Sequence, residues 1–136
     1  YGVLVDAIFG FSFKLDPERG IRDPFGGMLA ALATASAPVL SVDIPSGWDV
    51  ESGPQSDGAL MPDALISLTA PKLCATQFDG RHFLGGRVAP TAIVERYQLV
   101  LPAYPGTDQV VELEGWGDGG DSSAGSGPTT DDLLVE

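Results

Sequence analysis

The chain has 136 residues, 43% of them hydrophobic, which is enough for one packed domain of ordinary size. Its formal net charge of −12 leaves no basic patch to neutralise phosphates, so a nucleic-acid partner is excluded. The single cysteine, Cys74, excludes an internal disulfide framework, and no apolar run is long enough to cross a bilayer as a helix.

Tyr1 to Ala7 reads as a strand buried on both faces, with Asp6 near its end. A loop with three phenylalanines follows, Phe9, Phe11 and Phe13, and then turn material from Asp16 to Gly20. Asp23-Pro24 reads as a helix start, with Asp23 capping and Pro24 in the first turn. Phe25, Met28, Leu29 and Leu32 fall at helical spacing, and the helix is expected to reach Ser36. Pro38 ends it and leads into a second strand through Val42. Strand, helix and strand at this length predict a right-handed parallel crossover.

Asp43 closes that strand, and Pro45-Ser46-Gly47 forces a turn. A polar loop leads to a third strand, Ala64 to Leu68. Thr69 is placed to cap a short helix holding Pro71 and Cys74. His82 to Leu84 is a short strand, Pro90 to about Tyr97 a last helix, and Leu99 to Leu101 a possible edge. Residues 1–114 carry 14 acidic and 7 basic residues, whereas the last 22 carry 5 acidic and none basic. Residues 115–136, rich in Gly, Ser and Asp, are therefore read as a disordered acidic tail after a domain at 1–114.

Parallel strands bring their carboxyl ends to one edge, where open α/β sheets bind ligands. Asp6, Asp43 with Ser46, and Thr69 with Lys72 would meet there. Asp6 and Ser46 offer hard oxygen ligands suited to alkali or alkaline-earth cations. Asp43 and Asp16 are candidate acid/base groups. Each acid could equally serve turn chemistry. His82 reads as structural or surface, Cys74 as a small apolar residue, and Trp48 as either a stacking wall or a lid over the core.

Three stretches carry a resemblance: Val5-Asp6-Ala7-Ile8-Phe9-Gly10-Phe11-Ser12-Phe13-Lys14, Val42-Asp43-Ile44-Pro45-Ser46-Gly47-Trp48-Asp49-Val50, and Leu65-Ile66-Ser67-Leu68-Thr69-Ala70-Pro71-Lys72. Gly80 to Arg87 and Tyr97-Gln98-Leu99 extend it. Over about residues 1–112 the chain resembles the NAD(P)H-hydrate epimerases, also known as the YjeF N-terminal domain or apolipoprotein A-I-binding protein family. The resemblance implies a Rossmann-like three-layer α/β/α sandwich with a mostly parallel sheet. It implies an isomerase of nicotinamide nucleotide repair, interconverting the R and S epimers of hydrated NADH and NADPH.

The resemblance further implies a potassium ion held by Asp6 and Ser46. It implies substrate contacts from Gly10, Phe11, Ser12, Phe13, Lys14, Leu15 and Asp16, and from Asp43. Leu15 stands where relatives often carry glycine. Reversible loss and return of the hydroxyl would have its protons moved by Asp43 or Asp16, and ring opening is the other route. The family's Asn- and Gly-rich phosphate loop lies upstream of a segment like this one, so the N-terminal part of the domain is expected to be missing. The resemblance also implies a homodimer, a possible apolipoprotein A-I partner, and a mitochondrial or secreted location, while composition fits cytoplasm equally. The competing reading is a non-catalytic, lipoprotein-binding module or an inactive fragment.

Overall fold

The computed structural model describes residues 2–16 and 18–113, so the tail expected at 115–136 lies outside the described residues. Its elements are β1 (Leu4–Asp6), α1 (Phe25–Ala33), β2 (Val39–Val42), β3 (Ala64–Leu68), a 3-10 turn (Leu73–Gln77), β4 (Arg81–Gly85), α2 (Thr91–Tyr97) and β5 (Val110–Glu112). They form one sheet in the order β1-β2-β3-β4-β5. The first four strands are parallel, and β5 runs antiparallel to β4. This is an α/β fold with a mostly parallel sheet, as the strand and helix spacing predicts.

Four parallel strands taken in sequence order step across the sheet in one direction. Right-handed crossovers then place every connection on the same face. Both hydrophobic clusters lie there. One gathers Leu29, Val39 and Leu60 around α1, with Leu4, Ile8, Phe9, Ile21 and Leu32 packed on it. The other joins Ile44, Trp48, Leu65, Cys74, Phe78, Leu84 and Leu113. Trp48 belongs to this core: it is 1% exposed, and its indole Nε1 donates to the Leu60 carbonyl at 2.8 Å.

The alternate side chains are more open. Val5 pairs in register with Leu40, Leu40 with Ala64, Val42 with Ile66, and Ile66 with Phe83, so these residues share the second face. Val5 and Val3 are 58% and 51% exposed. The expectation that the first strand is buried on both faces therefore fails. β1 is an edge strand, and among the described residues the second face has no packed layer on it, since α2 buries none of its residues.

Three other local expectations are corrected. Helix α1 begins at Phe25, with Pro24 as N-cap and no side-chain cap bond, so Asp23 stands one residue too early to cap it. It stops at Ala33 rather than Ser36: Thr34 leaves the helical conformation at φ −106° and ψ 4°, and the next amide, Ala35, bonds Leu32 three residues back. Met28 is exposed while Leu29 is buried, which fits a short amphipathic stripe. Thr69 does not cap a helix; it takes φ +68°, and the 3-10 turn starts after Lys72 without a side-chain cap. The closing edge strand is Val110–Glu112 rather than Leu99 to Leu101, where Pro102 and Pro105 interrupt the chain.

Two buried polar side chains sit side by side in the core of the sheet. Ser67 Oγ and His82 Nε2 share a hydrogen bond of 2.8 Å, which makes His82 structural, as expected. Burial lowers the His82 pKa to about 4. Cys74 is 1% exposed and burial pushes its thiol up to about 11, so it is an apolar filler rather than a nucleophile.

The packing predicts that Leu65→Ala, which empties a fully buried site, costs about 2–5 kcal/mol in urea unfolding, whereas Val5→Thr on the open face stays within about 0.5 kcal/mol. The His82 shift fixes a sign. Its folded-state pKa lies below the ordinary 6.5, so the unfolded chain binds the proton first. The contribution is complete above about pH 6.5 and is lost as pH falls toward about 4, by up to about 3 kcal/mol. Unfolding free energies of the wild type and His82→Gln across pH 4–7 should show this difference in slope.

Candidate functional site

The carboxyl ends of β1, β2 and β3 meet at one edge of the sheet: Asp6 ends β1, and Asp43 and Thr69 directly follow β2 and β3. Asp6 ends β1 and is fully buried. Its Oδ2 accepts from Ser41 Oγ on β2 and from the Ser46 amide, both at 2.8 Å. Its Oδ1 accepts from the Ile8 amide at 3.4 Å. All these donors are neutral, and no ion pair reaches Asp6 among the described residues. A fully buried carboxylate held only by neutral donors suits a nearby cation.

Ser46 sits in the turn after β2 and is 2% exposed. Its Oγ accepts from the Phe9 amide at 2.9 Å. Gly47 beside it has φ +93°, a left-handed conformation that glycine takes without steric cost. Asp6 therefore fixes Ser46, and Ser46 fixes the start of the loop after β1. The two expected cation ligands, Asp6 and Ser46, are in direct contact through the Ser46 amide.

Asp43 leaves β2 at φ +72°. Its Oδ2 accepts from the Phe11 amide at 3.1 Å, and its Oδ1 from Lys72 Nζ at 2.5 Å. Lys72 Nζ also donates to the Leu68 carbonyl at 2.9 Å. Gly10 lies against this carboxylate: a Cβ there would stand 3.4 Å from Asp43 Oδ2. Of the expected substrate loop, Gly10 and Phe11 thus meet Asp43 directly. Phe13 stacks on Phe9 with ring centroids 4.3 Å apart, which stiffens the loop, and Phe11 and Ser12 are exposed.

The rest of the loop points elsewhere. Lys14 is exposed, and its charge helps hold the Asp49 carboxyl below its usual range, after the Ser52 and Glu51 amides and the Ser52 hydroxyl. Leu15 and Ser46 line a cavity of about 200 Å³ with Ile21, Leu29, Gly47 and Gln55. Asp16 spends its Oδ1 on the amides of Glu18 and Arg19, at 2.9 and 3.1 Å, in an exposed turn. Of the two acid/base candidates, the structure brings only Asp43 to the strand ends.

Lys72, expected with Thr69 at the common edge but without a role there, pairs with Asp43. Parallel strand order places it at that edge, four residues after the end of β3, but does not single out Asp43 as its partner. The available signal was its place at the close of Leu65 to Lys72, one of the three stretches that carry the resemblance.

A parallel sheet whose carboxyl edge gathers a buried oxygen cluster and an ion pair defines an α/β protein of the Rossmann-like type with a ligand crevice at that edge. The family model described as YjeF-related protein N-terminus matches residues 1–74, and the chain belongs to that family. It is 51% identical over 114 residues to the NAD(P)H-hydrate epimerase of Schizosaccharomyces pombe, covering 82% of this chain and 46% of that one. It is 52% identical over 114 residues to the NAD(P)H-hydrate epimerase of Anopheles gambiae, covering 83% and 48%. The crystal structure of yeast ynu0 superposes with a TM-score of 0.74 at 38% identity, over 82% of this chain and 46% of that one. The chain spans about half the length of the curated relatives it matches.

The hydrogen bonds around Asp6 predict that Asp6→Ala, which leaves a buried hydroxyl and a buried amide unpaired, destabilises by about 2–5 kcal/mol. Asp6→Asn keeps one acceptor and should cost less. Urea unfolding measures the ranking, and equal costs for the two would contradict it.

Proposed function

We propose that this chain contributes one wall of the site of an NAD(P)H-hydrate epimerase, which interconverts the R and S epimers of hydrated NADH and NADPH. The observation that carries the reading is Asp43, held at the carboxyl edge of the sheet against Gly10 and Phe11, in a chain over 50% identical to proteins of that name. Gly10 to Asp16 would flank the nucleotide, with Gly10 and Phe11 nearest Asp43. Asp43 would act on the protons of the hydrated carbon. Asp16, engaged in its own exposed turn, is the weaker candidate.

Asp6 and Ser46 would hold the potassium ion. A fully buried carboxylate with only neutral donors, beside a buried hydroxyl, fits a weakly polarising cation bound through oxygen. When bound, the ion supplies positive charge at the crevice, where nucleotide phosphates need it. The protein's own part is to fix the ligands: Ser41 and the Ser46 amide orient Asp6, and the Phe9 amide orients Ser46.

Half the length of the relatives and an open apolar sheet face both support a site completed by further polypeptide. These 136 residues by themselves should therefore show little or no epimerase activity. The whole protein in which they occur should interconvert purified R and S hydrates, faster in potassium than in lithium salts. Asp43→Asn should lower kcat by at least about a hundredfold. Near-normal turnover by Asp43→Asn would remove Asp43 from the chemistry, and robust turnover by the 136 residues alone would refute the divided site.

A further inference from the structure

The Asp43–Lys72 pair joins two chain segments that leave their strands in strained backbone conformations. Asp43 and Thr69 are both non-glycine residues in the left-handed region, at φ +72° and +68°, and they leave the adjacent parallel strands β2 and β3. Such conformations are unfavourable, more readily tolerated by Asp than by β-branched Thr. The Lys72 and Asp43 side chains are 15% and 16% exposed, so the pair is sheltered yet reachable.

Lys72 also holds a donor in reserve. An ammonium has three N–H groups. One goes to Asp43 Oδ1 at 2.5 Å and one to the Leu68 carbonyl at 2.9 Å. The third has no acceptor among the described residues. Asp43, in turn, splits its oxygens between Lys72 and the Phe11 amide, which opens the loop expected to flank the nucleotide.

On the epimerase reading above, we propose that Lys72 is the acid, and Asp43 the base, of one coupled proton-transfer pair. The hydrated carbon bears both the ring nitrogen and the hydroxyl. Its C–O bond breaks as the nitrogen lone pair forms a C=N bond. The departing oxygen takes a proton from Lys72 Nζ and leaves as water. A water molecule then adds to the other face of the flat ring. As the new C–O bond forms, the C=N electron pair returns to nitrogen and the surplus proton passes to Asp43. Transfer of that proton from Asp43 to the neutral Lys72 amine, along their hydrogen bond, restores both groups. No oxidant or reductant is consumed. The ring must enter edge-on, so that one group serves each face.

The test compares wild type, Lys72→Met and Lys72→Arg in the whole protein, with kcat and KM measured for epimerisation of purified hydrated NADPH and folding checked by circular dichroism. Arginine keeps the charge and the fold but cannot surrender its proton. The pair predicts that both variants lose at least about a hundredfold in kcat while KM moves less than about threefold. Added ethylamine should restore part of the activity of Lys72→Ala. If Lys72→Met does not fold, Lys72→Arg decides. A Lys72→Arg protein with kcat within about threefold of wild type, or a loss confined to KM, would overturn the acid role. A wild-type protein that does not epimerise at all would instead remove the functional reading on which the pair rests.

Discussion

The structure of the site depends on one buried carboxylate. Asp6 ends an edge strand of only three residues, yet it binds Ser41 on the neighbouring strand and the amide of Ser46 in the turn beyond it. Ser46 then takes the amide of Phe9, which closes a circuit from β1 through β2 and back to the loop that follows β1. Without Asp6, a short edge strand has little to hold its register, and the turn carrying Ser46 has no fixed distance from the Phe9 loop. A carboxylate is costly to bury without a charged partner, so it marks a place where stability has been traded for geometry. The same residue thus positions both the oxygen cluster and the loop that reaches Asp43.

A second constraint comes from topology. Four parallel strands laid down in sequence order force all their crossovers to one face, and the apolar side chains divide accordingly. Trp48, Leu65, Phe78 and Leu84 pack under the connections, while Val5, Leu40, Val42, Ile66 and Phe83 line the other face. A parallel sheet is ordinarily covered on both sides. The site lies at the edge where the covered face ends, and its rigidity comes from the one complete layer.

Much of this was legible in the sequence. The apolar runs at Val39–Val42 and Ala64–Leu68 specify buried strands, and the Asp or Thr just past each one marks a strand end. Parallel order then brings Asp6, Asp43 and Ser46 to a common edge without any side-chain detail. What stayed hidden depends on backbone conformations that local pattern does not encode. Thr69 looks like a helix cap, but its left-handed φ turns the chain so that Lys72 crosses to Asp43. Asp16 looks like an acid near the site, but its Oδ1 binds two amides of its own exposed turn. Val3 and Val5 look like core residues because the pattern of a strand does not say which faces of the sheet are covered.

The function of this edge turns on where a hydrated nucleotide binds. A crystal structure of the whole protein soaked with hydrated NADPH in potassium chloride tests that directly. The hydrated ring should lie at the carboxyl edge, in contact with Asp43 and with Gly10 or Phe11, and a cation should lie between Asp6 and Ser46. Nucleotide bound elsewhere on the sheet, with the Asp43–Lys72 pair untouched, would contradict it.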